Sequence, residues 1–459
     1  MKKPLQMLCI LGAMIFSASN FAGCGKFDAA KADKYFTVPK YADNVEMWIG
    51  GFSSPSFRLL NEKTWDEAFQ DAAELGLTHV HPERITADFG RNPDDAMRFL
   101  DLAYKYKLKV LMADSGLGIP HLDGPIDMNQ WDTSWAEEYT RHPAFGAIYL
   151  MDEPRYESFE NLGQKAAQWR KEFPRTGLMS NLVNAGGKHA FLHNTYREFI
   201  DAYMEKISPD MLYFAHYPLM NDGSITATYF QELAIISSAA KRYGVPAGAY
   251  ILTTGHSSST TQFKHMPSAQ DLRWQISAML AFGHKSFSHY AIDPPYGGGY
   301  TGDGYDRFYT DGERNDLWYA VQTVNREMRK WDHVYLNFNW LGTAPVVGDA
   351  GLTAMFNIIE DGVIKSDAID GITSIESTRD LLVGCFEDAA KNKGFMVSNA
   401  SNPSRELAAD AEIQFGKEYK GVQVWEKGVP RVIKLDKDGK AHINLEWGEG
   451  KFLIPLKAK

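Results

Sequence analysis

Short apolar runs alternate with longer amphipathic segments through the first two thirds of this chain, and eight such pairs precede about residue 332. The apolar runs show no polar alternation, which is typical of strands buried on both faces of a parallel sheet covered by helices. Eight strand-helix pairs predict an α/β fold, a (β/α)8 TIM barrel. The candidate strands span 45–52, 78–81, 109–113, 145–151, 176–182, 211–215, 246–252 and 285–290.

From about Val334 the pattern changes to short strand-like runs separated by turn signals such as Asp438-Gly439. Such runs predict a small C-terminal antiparallel β-sandwich. Its candidate strands are 381–386, 395–398, 422–425, 429–435, 441–445 and 452–456. The predicted organisation is a signal segment at 1–23, a tether at 24–40, the barrel at 41–333 and the sandwich at 334–459.

The first 23 residues carry Lys2 and Lys3, an apolar stretch over 5–16, and small residues that end just before Cys24. The stretch is shorter than the ~20 apolar residues of a bilayer span. This pattern resembles a bacterial lipoprotein signal, although Phe21 stands where such signals usually have Leu. We expect Cys24 to be lipidated and the protein to be anchored in the bacterial cell envelope, in the periplasm or on the outer-membrane surface. An ordinary secretory signal is the alternative.

Composition limits the possible partners and chemistry. The chain has 58 acidic and 48 basic residues and no basic run, so nucleic acid is not an expected partner. Beyond Cys9 in the signal and Cys24, a single cysteine remains, Cys385 in an apolar run. We therefore expect no intramolecular disulfide and no thiolate metal cluster, and we interpret Cys385 as a core residue rather than a nucleophile.

The fourth apolar run ends in Asp152-Glu153-Pro154. Two interpretations are open for this triplet. It can deliver carboxylates to the carboxyl-terminal edge of a barrel, where catalytic groups of this fold lie. It can equally begin a helix, since acidic residues and proline are common in a first turn.

Several motifs follow one another in an order that resembles the barrel glycoside hydrolases of clan A, and in particular a GH42-like branch of bacterial lipoproteins. They cover most of the chain after the signal, and they are Tyr-Leu-Met-Asp-Glu-Pro at 149–154, Tyr-Pro at 217–218, Asp-Leu-Arg-Trp-Gln at 271–275, Trp-Tyr-Ala-Val at 318–321, Asn-Arg-Glu at 325–327 and Gly-Glu-Gly-Lys-Phe at 448–452.

The resemblance implies that Glu153 is the general acid, because the clan places its acid at the end of strand four. Protonating a glycosidic oxygen takes a carboxylic acid whose pKa is raised by burial or by a nearby anion, and Asp152 is a candidate for that anion. Since consecutive strand residues point to opposite faces, Asp152 has a second possible position, behind the barrel wall. The chain departs from the clan in having Asp152 where Asn is usual, and in lacking a carboxylate at 249–256, where the nucleophile is expected.

Other carboxylates follow predicted strands and are candidates for a second catalytic or substrate-binding group: Asp293, Glu83 and Asp114. Asp293 is the first choice for the second carboxylate, with an Asx-type turn before two prolines as the alternative. The distance between the two carboxyl groups would decide between inverting and retaining hydrolysis.

Histidines and aromatic residues also cluster at predicted strand ends. We expect sugar contacts from His81, His216, Tyr217, His256 and Tyr290. A zinc or iron site is the alternative for the histidines, but only His79 and His81 form a closely spaced pair. No metal and no cofactor is predicted.

The sequence thus predicts a membrane-tethered glycoside hydrolase acting on oligo- or polysaccharides. The alternative is a non-catalytic carbohydrate-binding lipoprotein on a barrel that has lost its nucleophile, since fold alone does not fix function.

Overall fold

A computed structural model describes residues 32–55, 64–81, 93–120, 124–256, 261–292, 306–349 and 355–459, together with the backbone of the two-residue strand Lys26–Phe27. Cys24, Glu83 and Asp293 lie outside these described residues. No helix within the described ranges combines the length and the apolar character needed to cross a bilayer.

Among the described residues, eight parallel strands form a barrel in which each strand is followed by a helix. The first strand pairs with the eighth, and a parallel bridge between Phe52 and His81 closes the ring between the first and the second. The strands are β1 (Trp48–Gly51), β2 (His79–Val80), β3 (Lys109–Met112), β4 (Phe145–Asp152), β5 (Gly177–Leu182), β6 (Leu212–Ala215), β7 (Ala247–Leu252) and β8 (Ser286–Tyr290).

The helices that follow the strands begin where the sequence supplies capping residues. Three of them start with a capping box, in which a Ser or Thr side chain and an acidic residue three positions later exchange hydrogen bonds with backbone N–H groups. The helices are α1 (Trp65–Glu74), α2 (Pro93–Lys105), α3 (Ala136–Arg141), α4 (Phe159–Glu172), α5 (Tyr196–Ile207), α6 (Tyr229–Tyr243), α7 (Ala269–Ala281), α8 (Asp316–Arg329) and the short α9 (Asp332–Leu336).

Two layers of apolar packing hold the barrel together. The main core lies between strands and helices and includes Ile148, Leu150 and Met151 of β4. A separate cluster fills the barrel interior. It contains Tyr149, Tyr213 and Tyr250 from the strands and Phe52, which directly follows β1. The interior is therefore a packed core rather than a pore, and a ligand site must lie above it, at a strand end.

Antiparallel sheets follow the barrel and form the predicted sandwich. In the described part of the chain, a seven-stranded sheet has the order Lys26–Phe27, β15, β14, β17, β12, β11, β9, and a three-stranded sheet has the order β10, β13, β16. These strands are β9 (Phe338–Val346), β10 (Ile372–Ser377), β11 (Leu381–Asp388), β12 (Lys393–Asn399), β13 (Ala409–Phe415), β14 (Tyr419–Glu426), β15 (Val429–Lys434), β16 (Lys440–Leu445) and β17 (Gly450–Lys457).

The larger sheet packs directly on helix α7 of the barrel. Ser398 donates a hydrogen bond from its hydroxyl to the carbonyl of Ser277 at 3.0 Å. A Cβ placed on Gly384 would lie 2.2 Å from the carbonyl oxygen of Ala281, so only glycine permits this approach of strand to helix. The sandwich thereby covers an apolar face of the barrel.

The predicted fold class is confirmed, because the chain forms an eight-stranded parallel barrel followed by antiparallel sheets. Every predicted barrel strand is present, with ends that differ by at most three residues. The largest difference is in the first strand, which begins at Trp48 rather than at Val45. The predicted domain boundaries remain predictions.

Candidate active site

The end of strand β4 carries the predicted acid and a local irregularity. Tyr149 pairs with Met179 and Asp152 pairs with Asn181, so β4 advances three residues while β5 advances two. This extra residue is a β-bulge, and it places Asp152 on the same face as Tyr149, toward the barrel interior. Strict alternation would have placed Asp152 behind the barrel wall.

Two hydrogen bonds fix the Asp152 carboxylate. The Tyr149 hydroxyl donates to Oδ1 at 2.6 Å, and the Asn181 side-chain amide donates to the same oxygen at 3.1 Å. Because Tyr149 belongs to the interior cluster, the carboxylate lies directly above the packed core of the barrel.

Glu153 follows immediately and has an unusual backbone conformation. Its φ of 46° lies in the left-handed region, which costs a residue with a side chain roughly 1–2 kcal/mol. The Glu153 N–H is held by the carbonyl of Asn181 at 2.9 Å, and Pro154 follows. The chain thus turns sharply at the residue that the sequence singled out.

The electrostatic setting of Glu153 suits a proton donor. Its side chain as a whole is exposed to solvent, while the carboxyl group is surrounded by protein atoms. Two effects raise the pKa of Glu153 to about 7. Burial is the larger effect, and the negative charge of Asp152 is the smaller one. A substantial fraction of Glu153 is therefore protonated at neutral pH, while an ordinary Glu is almost fully ionised.

An aromatic wall continues from this carboxyl pair around the mouth of the barrel. His81 packs 4.3 Å from the Tyr149 ring and 4.9 Å from the Phe52 ring, and its Nδ1 is 3.1 Å from the Tyr250 hydroxyl. Phe52 lies 5.2 Å from Tyr290. Ring contacts therefore connect the end of β4 to the end of β8.

Tyr290 and Tyr217 form the far part of this wall. Their rings stack with centroids 4.9 Å apart and an interplanar angle of 23°, and His256 lies 5.6 Å from Tyr217 and 5.5 Å from Tyr290. Burial lowers the pKa of His256, so its imidazole is mainly neutral at pH 7. Flat aromatic faces beside neutral polar rings suit the faces and hydroxyls of a sugar.

The structure therefore brings six of the predicted site residues into one group around the barrel mouth: Asp152, Glu153, His81, Tyr217, His256 and Tyr290.

Two other predicted residues have different surroundings. Asp114 caps a single 3-10 turn, accepting from the Gly116 N–H at 2.8 Å and from the Tyr139 hydroxyl of α3 at 2.8 Å. Burial raises the pKa of Asp114. Its partners make it an anchor for the loop after β3, and its predicted role in substrate binding stays a prediction.

His216 is buried at the end of β6 against helix α6. Its Nδ1 lies 2.8 Å from the Glu232 carboxylate, which also accepts from the Thr228 hydroxyl and the Ala185 N–H. Burial alone would raise the pKa of Glu232, but the charge of His216 and these hydrogen bonds outweigh it and hold that pKa below its usual range. Glu232 thus fixes the orientation of the His216 ring.

Strand β7 ends without a carboxylate, as its sequence indicates. The hydroxyl of Thr253 lies 2.8 Å from Nδ1 of His289, and that of Thr254 accepts from the Ala291 N–H at 3.0 Å. Both hydroxyls are engaged in holding β7 to β8. No described residue of this strand end can act as the nucleophile of a retaining mechanism.

Asp306 is a carboxylate that the sequence interpretation missed. It accepts from the N–H groups of Gly255 and Met266 at 2.7 and 2.6 Å, and from His265 at 2.9 Å. These bonds tie the loop after β7 to the segment that precedes α8. Asp306 therefore shapes the rim of the mouth.

Asn181 was also missed, although a usable signal existed. It lies one residue before the end of predicted strand five, at the same edge as Glu153. No comparable pattern marks Asp306 or Glu232, because their partners come from distant segments.

The metal alternative receives no structural support from the histidine pair. His79 stacks on Trp48 at 3.7 Å, whereas His81 packs on Tyr149 and Phe52. Burial together with Lys109 lowers the pKa of His79 to about 3. Within the described ranges, no three His, Cys, Asp or Glu side chains come together as a metal centre would require.

Known proteins of similar structure carry the same architecture. A GH42 beta-galactosidase from G. stearothermophilus is 10% identical and aligns over 92% of this chain and 99% of its own, with a TM-score of 0.56. A protein described as a glycoside hydrolase is 12% identical over 90% and 92%, with a TM-score of 0.55. A beta-galactosidase from Bacillus circulans sp. alkalophilus is 9% identical over 89% and 99%, with a TM-score of 0.52.

At these identities the likeness shows the fold, and it confirms that the chain has the architecture of the barrel glycoside hydrolases. No model of a protein family matches the chain, and no curated protein matches it.

Proposed function

We propose that this protein is a glycoside hydrolase that cleaves oligo- or polysaccharides with Glu153 as its general acid. The observation that carries the proposal is the position of Glu153 beside Asp152 at the carboxyl-terminal end of β4, next to the aromatic wall. The pKa of Glu153, which burial and the charge of Asp152 raise to about 7, agrees with this role. A general acid works best when its pKa lies near the working pH. The position at the carboxyl-terminal end of β4 agrees with the location of catalytic groups in this fold.

In the proposed reaction, a sugar ring rests against the wall that contains Tyr217 and Tyr290, and its glycosidic oxygen accepts the proton of Glu153. Bond cleavage leaves positive charge on the sugar ring, which the ionised Asp152 carboxylate stabilises electrostatically. A water molecule adds to the anomeric carbon of the sugar and gives its proton to the proposed second carboxylate, Asp293, which lies outside the described residues.

The experiment measures product release from a panel of plant, algal and host glycans by chromatography with reducing-end detection. We expect Glu153→Gln to lower kcat/KM by roughly 10² to 10⁴-fold, the usual contribution of a general acid. The matched control is Glu157→Gln, an exposed carboxylate four residues further on, which should leave activity unchanged. Aryl glycosides with a good leaving group need less protonation, so their cleavage should fall far less in Glu153→Gln.

A second candidate function rests on the end of β7, where Thr253 and Thr254 stand in the region where the clan nucleophile is expected. It is a carbohydrate-binding protein that holds glycan against the aromatic wall without cleaving it. If no glycan of the panel is cleaved and calorimetry finds oligosaccharide binding that Tyr217→Ala abolishes, this candidate replaces the hydrolase.

We further propose that Cys24 carries a lipid anchor that holds the protein in the bacterial cell envelope. The support is the charged, apolar and small-residue order of the first 24 residues. Incorporation of radiolabelled palmitate into the full chain, and its loss in Cys24→Ser, is the test.

A further inference from the structure

One end of the sandwich contains a depression of about 970 Å³ that is rich in lysine. All of its lining residues lie between 373 and 439, so it belongs to the sandwich and is separate from the barrel mouth. Its charged lining residues are four lysines and two aspartates: Lys417, Lys420, Lys434, Lys437, Asp436 and Asp438. We call this depression the lysine groove.

The charge of the lysine groove opposes that of the whole chain, whose net charge is −10. Within the described residues, no carboxylate forms an ion pair with Lys417, Lys434 or Lys437. Asp436 is occupied by its own turn, where it accepts from the N–H groups of Asp438 and Lys440. Ammonium groups therefore remain available for an external anion.

The N-terminal strand reaches the same end of the sandwich. Lys26 pairs with Ile433 and Phe27 pairs with Val432 in antiparallel register. The direction from Phe27 to Lys26 is therefore the direction from Val432 to Ile433 along β15. The next residue of β15 in that direction is Lys434, which lines the lysine groove. Only Gly25 lies between Lys26 and Cys24, and a step of two residues spans at most about 7 Å. The length of this segment therefore limits how far a lipid on Cys24 can lie from Lys26, which pairs next to the lysine groove.

We infer that the lysine groove docks the sandwich on the anionic phospholipid headgroups of the membrane that holds the anchor. The inference rests on the proposed lipidation of Cys24, which places the groove at the bilayer surface. Stable membrane anchoring commonly combines a lipid chain with a cluster of basic residues. The basic residues are attracted to the negatively charged phosphate headgroups.

The test separates the groove from the anchor by using a chain that starts at Gly25 and retains all described residues. Its co-sedimentation is measured with phosphatidylcholine vesicles, with and without phosphatidylglycerol. Wild type should bind the anionic vesicles and be released by salt. Replacing Lys417, Lys434 and Lys437 together by Gln should weaken this partition about fivefold for each lysine, roughly 100-fold in all.

Two control variants accompany this measurement. The same three lysines changed to Arg keep the charge and should retain binding. Three exposed lysines on the barrel, Lys107, Lys171 and Lys330, changed to Gln remove equal charge elsewhere and should leave partition nearly unchanged.

Equal binding of wild type to neutral and anionic vesicles, or equal loss in both triple Gln variants, would overturn the inference. Binding of a soluble polyuronate to the groove without any vesicle binding would also overturn it, and would make the groove a glycan site. Failure of palmitate labelling at Cys24 would instead contradict the anchor, so the two failures can be told apart.

Discussion

Replacing Asp152 by Asn tests whether a neighbouring charge tunes the proposed acid. The substitution removes the negative charge but keeps a side-chain oxygen that can accept from Tyr149 and Asn181, as Asp152 Oδ1 now does at 2.6 and 3.1 Å. The geometry at the end of β4 should therefore persist. Any change in the titration of Glu153 then reports the lost charge.

The magnitude follows from the causes of the raised pKa. The pKa of Glu153 rises from an ordinary 4.5 to about 7, and burial is a larger cause than Asp152. The charge therefore accounts for less than half of a rise of about 2.5, so Asp152→Asn should lower the midpoint by at most about 1.2 pH units. If the midpoint reaches 6, the protonated fraction at pH 7 falls from about one half to about one tenth.

The direct assay is a ¹³C NMR titration of side-chain carboxyl groups, with the Glu153 signal assigned from its loss in Glu153→Gln. In kinetics, the alkaline limb of the kcat/KM profile on a cleaved glycan should move to lower pH by the same amount. The maximum of the profile should also fall, because the Asp152 charge no longer stabilises the positive charge on the sugar. A wild-type midpoint near 4.5, or a midpoint unaffected by Asp152→Asn, would refute the reasoning.

Three further predictions concern stability and rim structure. In urea titrations above pH 4.5, Glu232→Gln should lower the free energy of unfolding by about 2 kcal/mol. Because the pKa of Glu232 is lower in the folded than in the unfolded protein, this difference should shrink as the pH falls below 4.5. Asp306→Asn should speed amide exchange at Gly255 and Met266 at least tenfold by NMR, whereas equal rates would contradict its role in holding the rim. Glu153→Gln should raise the free energy of unfolding at pH 8 by about 1 kcal/mol and leave it unchanged at pH 4, since the raised pKa makes ionisation costlier in the folded state and solvent access reduces the full effect.

The barrel could be predicted well because its strands are buried on both faces. Such strands are uninterrupted apolar runs, and β7 at Ala247–Leu252 is an example, with every residue buried. In the sandwich, β9, β10 and β13 were missed, and β13 at Ala409–Phe415 shows one reason. It alternates buried Ala409, Ala411, Ile413 and Phe415 with polar residues, and its small alanines make that alternation a weak hydrophobic signal.

The site could be predicted only in part. Residues at strand ends share one edge of a parallel barrel, so Glu153, His81, Tyr217 and Tyr290 could be grouped without any distance information. The orientation of Asp152 could not, because one extra residue in β4 reverses which face a side chain takes, and nothing in the local sequence marks that bulge.

The cost that Glu153 imposes on the fold favours catalysis over simple binding. Its left-handed φ of 46° is unfavourable for a residue with a side chain, and crowding of its carboxyl beside Asp152 makes ionisation unfavourable as well. Both penalties fall on the same residue, at the strand end where this fold performs chemistry. A surface that only binds sugar needs hydrogen-bonding groups and aromatic faces, which Gln at this position would supply without the electrostatic penalty. A proton donor, in contrast, requires the perturbed carboxyl itself, and this is why the hydrolase is the better explanation even though β7 supplies no nucleophile.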